Sequence, residues 1–210
     1  LASRPRQVVA HRLLAGFVVV FSLDLAMAVY HASGASEQHP ALIGLDLPVA
    51  LLYGPLLYLY VRTLTAPGPA LRRADAWHLV PFVALIVFLV PFYLQPGAEK
   101  LALMHDPALS FQTRAMAVVN PLKMLHGSVY LGLIVVRVRR AAPGAEPGTL
   151  RWLRGLTAGV LTMLAVVMVL YVVGGTDTVG LDDASITDDL TLLTVTVFVY
   201  ALGYFGPRQP

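Results

Sequence analysis

The sequence predicts an all-α polytopic transmembrane helix bundle with six spans. Hydrophobic residues make up 57% of the chain and charged residues only 13%, whereas a soluble domain has roughly 25% charged residues. The mean hydropathy is +0.71. The segments between the apolar runs alternate between basic and acidic. This pattern is typical of a membrane protein that retains Lys and Arg on the cytoplasmic side.

Each predicted span is an apolar run close to the ~20 residues that cross a bilayer core about 30 Å thick. The runs are continuous, whereas the strands of a membrane β-barrel would be shorter and alternating. Pro55, Pro81 and Pro121 lie inside the runs and are expected to kink the helices or open their hydrogen-bond ladders. The six spans are predicted at residues 13–30, 43–61, 78–94, 115–136, 156–173 and 190–205.

The charge pattern also predicts the topology. Twelve of the 15 basic residues fall in the segments assigned to the cytoplasm, so both ends of the chain are expected there and the membrane is expected to be the bacterial inner membrane. The chain begins with Leu1 rather than Met, which suggests a longer parent protein. It has no Cys, which excludes disulfides and thiol catalysis. No enzyme motif occurs, so no catalytic residue, metal or cofactor is expected.

Asp24 and Lys123 are the most informative polar residues of the predicted spans. At the helical rise they lie about 18 Å and about 21 Å from the cytoplasmic edge, and therefore at a similar depth. A charge in the bilayer costs at least about 2.5–3.5 kcal/mol, and pairing reduces that cost. Three alternatives follow: a static ion pair between the first and fourth helices, a pair that a ligand or a proton breaks, or no contact, with Lys123 extending outward.

Asn120, Lys123 and His126 recur every three residues and therefore share a broad face of the fourth predicted helix. Pro121 leaves the carbonyl of Ala117 without its helical donor. This polar face could line a ligand cavity or hold neighbouring helices together by hydrogen bonds. A GxxxG pair at Gly155 and Gly159 could mediate a homodimer, although this motif is frequent in membrane helices by chance.

Three stretches share an order and spacing: Gly54-Pro-Leu-Leu-Tyr-Leu-Tyr-Val-Arg-Thr-Leu-Thr65, then His78-Leu-Val-Pro-Phe82, and at the chain end Gly203-Tyr-Phe-Gly-Pro-Arg-Gln-Pro210. Together they resemble the membrane region of multi-pass transcription regulators of the AraC type. In that family a Gly/Ser-Pro-Leu-x-Tyr-x-Tyr-x-Arg/Lys run is followed by a helix that begins His-x-x-Pro-Phe, and the last helix ends Gly-Tyr-x-x-x-Arg-Gln-Pro. Pro207 departs from the family pattern. The matching residues here are Gly54, Pro55, Tyr58, Tyr60, Arg62, His78, Pro81, Phe82, Gly203, Tyr204, Arg208, Gln209 and Pro210.

The resemblance implies seven helices in the full protein, of which the first precedes Leu1, and a cytoplasmic helix-turn-helix domain after Pro210. It implies a sensory and anchoring region that contacts the lipid bilayer, responds to a signal of unknown identity, and reaches DNA only through that further domain. The resemblance also allows a histidine kinase or a LytTR module as the further domain. A different class of function is a small transporter or channel component, with Asp24, Asn120, Lys123 and His126 along the solute route.

Overall fold

A computed structural model describes residues 3–105, 111–141 and 146–174, and the single positions 193, 194, 196, 197 and 200. The described residues contain helices and turns and no strand, which confirms the predicted all-α class. Short 3₁₀ helices lie at Pro40–Leu42, Val49–Leu52 and Arg73–Leu79. The α-helices are α1 (Ser3–Ala32), α2 (Ala35–Gln38), α3 (Tyr53–Thr65), α4 (Val80–Tyr93), α5 (Gly97–His105), α6 (Phe111–Ala141) and α7 (Pro147–Gly174).

Three helical segments of the described chain are long and apolar enough to cross a membrane: Pro5–Ala32, Arg73–Tyr93 and Val118–Ala141. They contain or overlap the predicted first, third and fourth spans. The predicted fifth span, 156–173, lies within α7. The predicted sixth span, 190–205, falls outside the described residues, except for the five single positions, which are helical.

The predicted second span, 43–61, is not one helix. Residues 43–48 form turns, a 3₁₀ helix follows at Val49–Leu52, and only α3 is α-helical. Gly44 has a φ of 84°, a backbone conformation that glycine adopts without steric cost. Pro48 then disfavours a helix through the residue before it. The segment therefore has enough apolar residues for a span, but Gly44 and Pro48 prevent a continuous helix.

The predicted proline kinks are also corrected at two positions. Pro55 lies in the first turn of α3 and Pro81 in the first turn of α4. Proline is tolerated there because the first N–H groups of a helix have no partner within the helix. Pro121, in contrast, lies inside α6, where it removes one hydrogen bond of the ladder.

The chain divides into two compact units, residues 1–133 and 134–210. In the first unit α1 packs against α3 with opposite chain direction. Arg6, at the start of α1, bonds carbonyls at the end of α3, whereas the Phe21 ring stacks 4.4 Å from that of Tyr53 at the start of α3. Four buried side chains of α1 follow a 4-3-4 spacing typical of a helical contact face: Ala10, Leu14, Phe17 and Phe21. Met27 is buried further along the helix.

The second unit contains the end of α6 and all of α7. Its described buried side chains also lie at helical spacing, so that one face of each helix is covered by protein. They include Ile134 and Val138 on α6 and Leu150, Leu153, Leu156 and Thr157 on α7.

Candidate functional site

Asp24 lies on the α1 face that packs within the protein. It follows Phe21 by three residues, and so continues the buried spacing of that helix. The Tyr53 hydroxyl approaches the Asp24 carboxyl, although the contact falls short of a well-formed hydrogen bond. The apolar stripe of α1 continues past Asp24 to the buried Met27 and therefore positions this carboxyl against the start of α3.

Lys123 reaches the same region from α6. Its Nζ donates a hydrogen bond of 3.1 Å to the backbone carbonyl of Leu47. Leu47 belongs to residues 39–48, a stretch of turns and one short 3₁₀ helix that we call the turn segment. Lys123 also interacts electrostatically with the carboxyls of Asp24 and Asp46. No ion pair joins Asp24 to Lys123 in the described part of the chain. Asp24 and Lys123 therefore interact electrostatically but without direct contact, because the ammonium bonds the Leu47 carbonyl instead.

Asp46 completes the group and was not among the predicted site residues. It interacts electrostatically with Asp24, Tyr53 and Lys123. Its Oδ1 atom and the Tyr53 hydroxyl are both buried and have no hydrogen-bond partner among the described residues. Buried polar atoms are normally paired, and an unpaired one costs about 1–3 kcal/mol. We call Asp24, Asp46, Tyr53 and Lys123 the polar group.

The composition of the polar group defines its chemistry. With both carboxyls ionised and the lysine charged, two negative charges face one positive charge within largely apolar helices. A proton or a bound cation would balance this group. Alternatively, Lys123 could leave the Leu47 carbonyl and pair directly with either carboxylate, which would free the turn segment to move.

The turn segment is held by side chains from four surrounding helices. Tyr30 of α1 donates to the carbonyl of His39, and Tyr93 of α4 donates to the carbonyl of Gly44, at 2.7 and 3.0 Å. Lys100 of α5 donates to the carbonyl of Ala41 at 3.0 Å. Irregular backbone at membrane depth persists only where protein or water satisfies its polar groups. Lys123 is therefore one of four described side-chain donors that, together with backbone N–H groups, satisfy carbonyls between residues 39 and 47.

A second group of polar rings surrounds Tyr130 of α6. The His78 Nδ1 atom lies 2.5 Å from the Tyr130 hydroxyl, and the His126 ring lies 4.8 Å from the Tyr130 ring. Tyr58 of α3 packs edge-on against both His78 and Tyr130. Both ring nitrogens of His126 are buried without a partner among the described residues. His126 therefore belongs to this aromatic group and is not part of the polar group.

Residues of the predicted family motif converge next to this aromatic group. A Cβ added to Gly54 would lie 2.7 Å from Tyr130, so glycine permits the close approach of α3 and α6. Arg62 forms two 2.5 Å bonds with the carboxylate of Asp75, which is 8% exposed and also accepts the backbone N–H of Arg72. Tyr58 lies between Gly54 and Arg62 on α3, and its ring partner His78 lies with Asp75 in the 3₁₀ helix Arg73–Leu79. The motif therefore corresponds to one contact network of the first unit.

The remaining motif residues have different positions. Pro55 and Tyr60 are buried on α3, Pro81 is half-buried, and Phe82 packs against the apolar cluster of Leu51, Leu85 and Leu89. Asn120 is exposed, so the structure does not bring it into the polar group with Lys123. Five motif residues lie outside the described part: Gly203, Tyr204, Arg208, Gln209 and Pro210.

Sequence reasoning missed Asp46, Tyr53 and Tyr130. Tyr130 was detectable in principle, because it follows His126 by four residues and Lys123 by seven, on the same helix face. Asp46 lies in the turns at residues 43–48 and Tyr53 begins α3, and the hydropathy pattern does not predict those turns. Comparisons of the chain with protein-family models, with curated proteins and with solved structures find no match.

Proposed function

We propose that this chain is the membrane-embedded sensory and anchoring region of a bacterial transcription regulator, with six spans and both ends in the cytoplasm. The observation that carries the proposal is the convergence of motif residues. Gly54, Tyr58 and Arg62 lie at four-residue spacing on α3. Gly54 and Tyr58 approach Tyr130, which also bonds His78, and Arg62 pairs with Asp75, three residues before His78. This supports the resemblance because the motif has a common structural role.

The polar group supplies a way in which such a region could respond to a signal. Lys123 of α6 donates a hydrogen bond to the Leu47 carbonyl of the turn segment. Asp24 of α1 interacts with Tyr53, at the start of α3, and with Asp46 of the turn segment. A proton or a cation that changes the charge of the group would change the attraction on Lys123. Movement of the turn segment would then be transmitted to α3 and its motif network.

The first experiment concerns the complete gene. The reading frame beyond Pro210 is expected to encode a helix-turn-helix domain, and a stop codon close to Pro210 would contradict the proposal.

Transcript profiles are then compared between the native strain, a strain lacking the gene, and strains carrying Lys123→Met or Lys123→Arg. A limited gene set should change in the deletion strain and in the Lys123→Met strain. Lys123→Arg, which keeps the charge, should retain more of the native profile. Equal membrane amounts of the variants must accompany this result, and four identical profiles would overturn the proposal.

The topology is tested separately with reporter fusions. Alkaline phosphatase is active only outside the cytoplasm, so a fusion after Gly180 should be active and one after Gly144 inactive. The reverse pattern would contradict the proposed orientation, since it would place the arginine-rich segment outside against the distribution of Lys and Arg.

A second candidate function is a transporter or channel component. The unpartnered Asp46 Oδ1 and Tyr53 hydroxyl favour it, because a transported ion or solute requires free polar atoms within the membrane region. Under this alternative, Asp46→Asn should abolish uptake of a solute by cells without a change in transcripts. Under the regulator proposal, transcripts change and uptake by membrane vesicles stays at the level of empty vesicles.

A further inference from the structure

Five arginines lie in the helix turns that precede and follow residues 142–146 in the sequence. Arg137, Arg139 and Arg140 lie in the last turns of α6, and Arg151 and Arg154 lie in the first turns of α7. Four of them are exposed and Arg137 is half-buried. The buried residues of the same turns, such as Val138 and Leu153, occupy other positions. We call these five residues the arginine patch.

The protein does not neutralise the arginine patch in its described part. Glu146 is the single acidic residue between positions 134 and 174 of the sequence. Its Oε1 accepts the N–H of Gly148 at 3.2 Å, and its Oε2 accepts the N–H and the hydroxyl of Thr149 at 3.0 Å each. It interacts electrostatically with Arg151, but no described carboxylate forms an ion pair with any of the five arginines. Glu146 therefore caps α7 and leaves most of the positive charge unbalanced.

The arginines lie directly beside apolar sequence on both sides. The apolar run of α6 ends at Val136, next to Arg137, and the run of α7 begins at Leu156, two residues after Arg154. An arginine side chain at the end of a membrane helix extends its guanidinium to the headgroup level. Lipid phosphates lie at that level, and a guanidinium forms paired hydrogen bonds with phosphate.

We propose that the arginine patch binds the headgroups of anionic phospholipids on the cytoplasmic side of the membrane. Nucleic acid has a similar charge, but the position of the arginines next to the apolar runs favours lipid. The proposal rests on the membrane-spanning position of α6 and α7 and is independent of the regulatory role proposed above. Binding at this site would fix the height of the α6–α7 connection relative to the bilayer.

The test uses the whole 210-residue chain in nanodiscs of equimolar phosphatidylcholine and phosphatidylglycerol. Native mass spectrometry counts the lipids of each class that remain bound to the released protein. The native protein should retain phosphatidylglycerol in preference, and the preference should fall as the salt concentration rises. Replacement of the four exposed arginines, Arg139, Arg140, Arg151 and Arg154, by Gln should lower the ratio of the two lipids about tenfold or more.

Two further variants provide controls. Replacement of the same four residues by Lys keeps the charge and should preserve most of the preference. Replacement of the exposed Arg12, Arg72 and Arg73 by Gln removes charge elsewhere and should have a clearly smaller effect. The proposal is overturned if the native protein shows no preference, if preference is independent of salt, or if both sets of Gln variants lose it equally. It is also overturned if the chain does not insert into nanodiscs, or if the four-Gln change abolishes binding of duplex DNA while the lipid ratio is unchanged.

Discussion

Residues 1–133 and the arginine patch use positive charge in different ways. In the first unit, Arg6 donates to the carbonyls of Thr63 and Ala66, and Arg62 pairs with Asp75. Lys100, which is 3% exposed, and Lys123 donate to carbonyls of the turn segment. In the arginine patch, no described carboxylate forms an ion pair with a guanidinium. Both regions read as basic in the sequence, so a charge count does not separate cations that hold the fold from cations that face outward.

The largest expected effect concerns Arg62 and Asp75. Arg62→Ala or Asp75→Ala should each lower the free energy of unfolding by about 3–5 kcal/mol, because each leaves a largely buried charge without its partner. The double variant should lose less than the sum of the two single variants. Denaturant titration in detergent measures all three, with the exposed Arg72→Ala as control. If the single variants match that control, the pair does not stabilise the first unit.

Lys123 should show a smaller effect. Lys123→Met should lower the free energy of unfolding by about 1–3 kcal/mol, because the Leu47 carbonyl loses its donor. Asp24→Asn should cost less, since it removes one of two carboxylates that face a single ammonium. The exchange Asp24→Lys with Lys123→Asp should not restore stability, because aspartate cannot donate to the carbonyl. Recovery of stability in that exchange, measured in the same titration, would instead indicate a direct Asp24–Lys123 pair.

Glu146 should have a local and pH-dependent effect on α7. Hydrogen bonds from the backbone of Thr149 and of Gly148, together with the Thr149 hydroxyl, lower the pKa of the Glu146 carboxyl below its usual range. Its stabilising contribution should be complete above the pKa of an unperturbed glutamate, about 4.3, and should be lost as the pH falls through the lower folded value. NMR titration of the Thr149 amide should report this transition. The transition should be absent in Glu146→Gln, and its persistence there would exclude Glu146 as the cause.

The smallest expected effect belongs to the arginine patch itself. Arg139→Gln with Arg140→Gln should change the free energy of unfolding in detergent by no more than about 0.5 kcal/mol, because both side chains are exposed and lack an ion-pair partner in the described chain. A loss as large as that of Arg62→Ala would remove the difference between the two regions. It would show that these arginines also stabilise the fold.

Much of the helical architecture was predictable, because a long apolar run identifies a helix whatever its neighbours are. The helices that contain the predicted first, third, fourth and fifth spans illustrate this. The second span was wrong in its first half, since hydropathy does not register the turn at Gly44 or the effect of Pro48. A correct assignment of turns there would have required the backbone preferences to outweigh the apolar composition.

The candidate site was predictable only in part. The similar depth of Asp24 and Lys123 was predictable, because the helical rise per residue converts a sequence distance along each helix into a height. It did not predict that Lys123 would bond the Leu47 carbonyl, since that carbonyl is free only because the turn lacks helical hydrogen bonds. Asn120 shows the opposite limit. Three-residue spacing gave it a shared face with Lys123, but that face is broad enough to leave Asn120 exposed.

The short α3 has a consequence for biosynthesis. The apolar helical segment Val49–Thr65 has at most 17 residues, or about 25 Å of helix, and it follows a turn that carries Asp46. Such a segment leaves the translocon for lipid less favourably than Pro5–Ala32 does. The partner of α3 already exists when α3 emerges, because α1 is synthesised first and presents the face that begins at Ala10. If α3 crosses the bilayer as proposed, it should enter against α1 as a hairpin, so that the order of synthesis makes up for a helix that is short by itself.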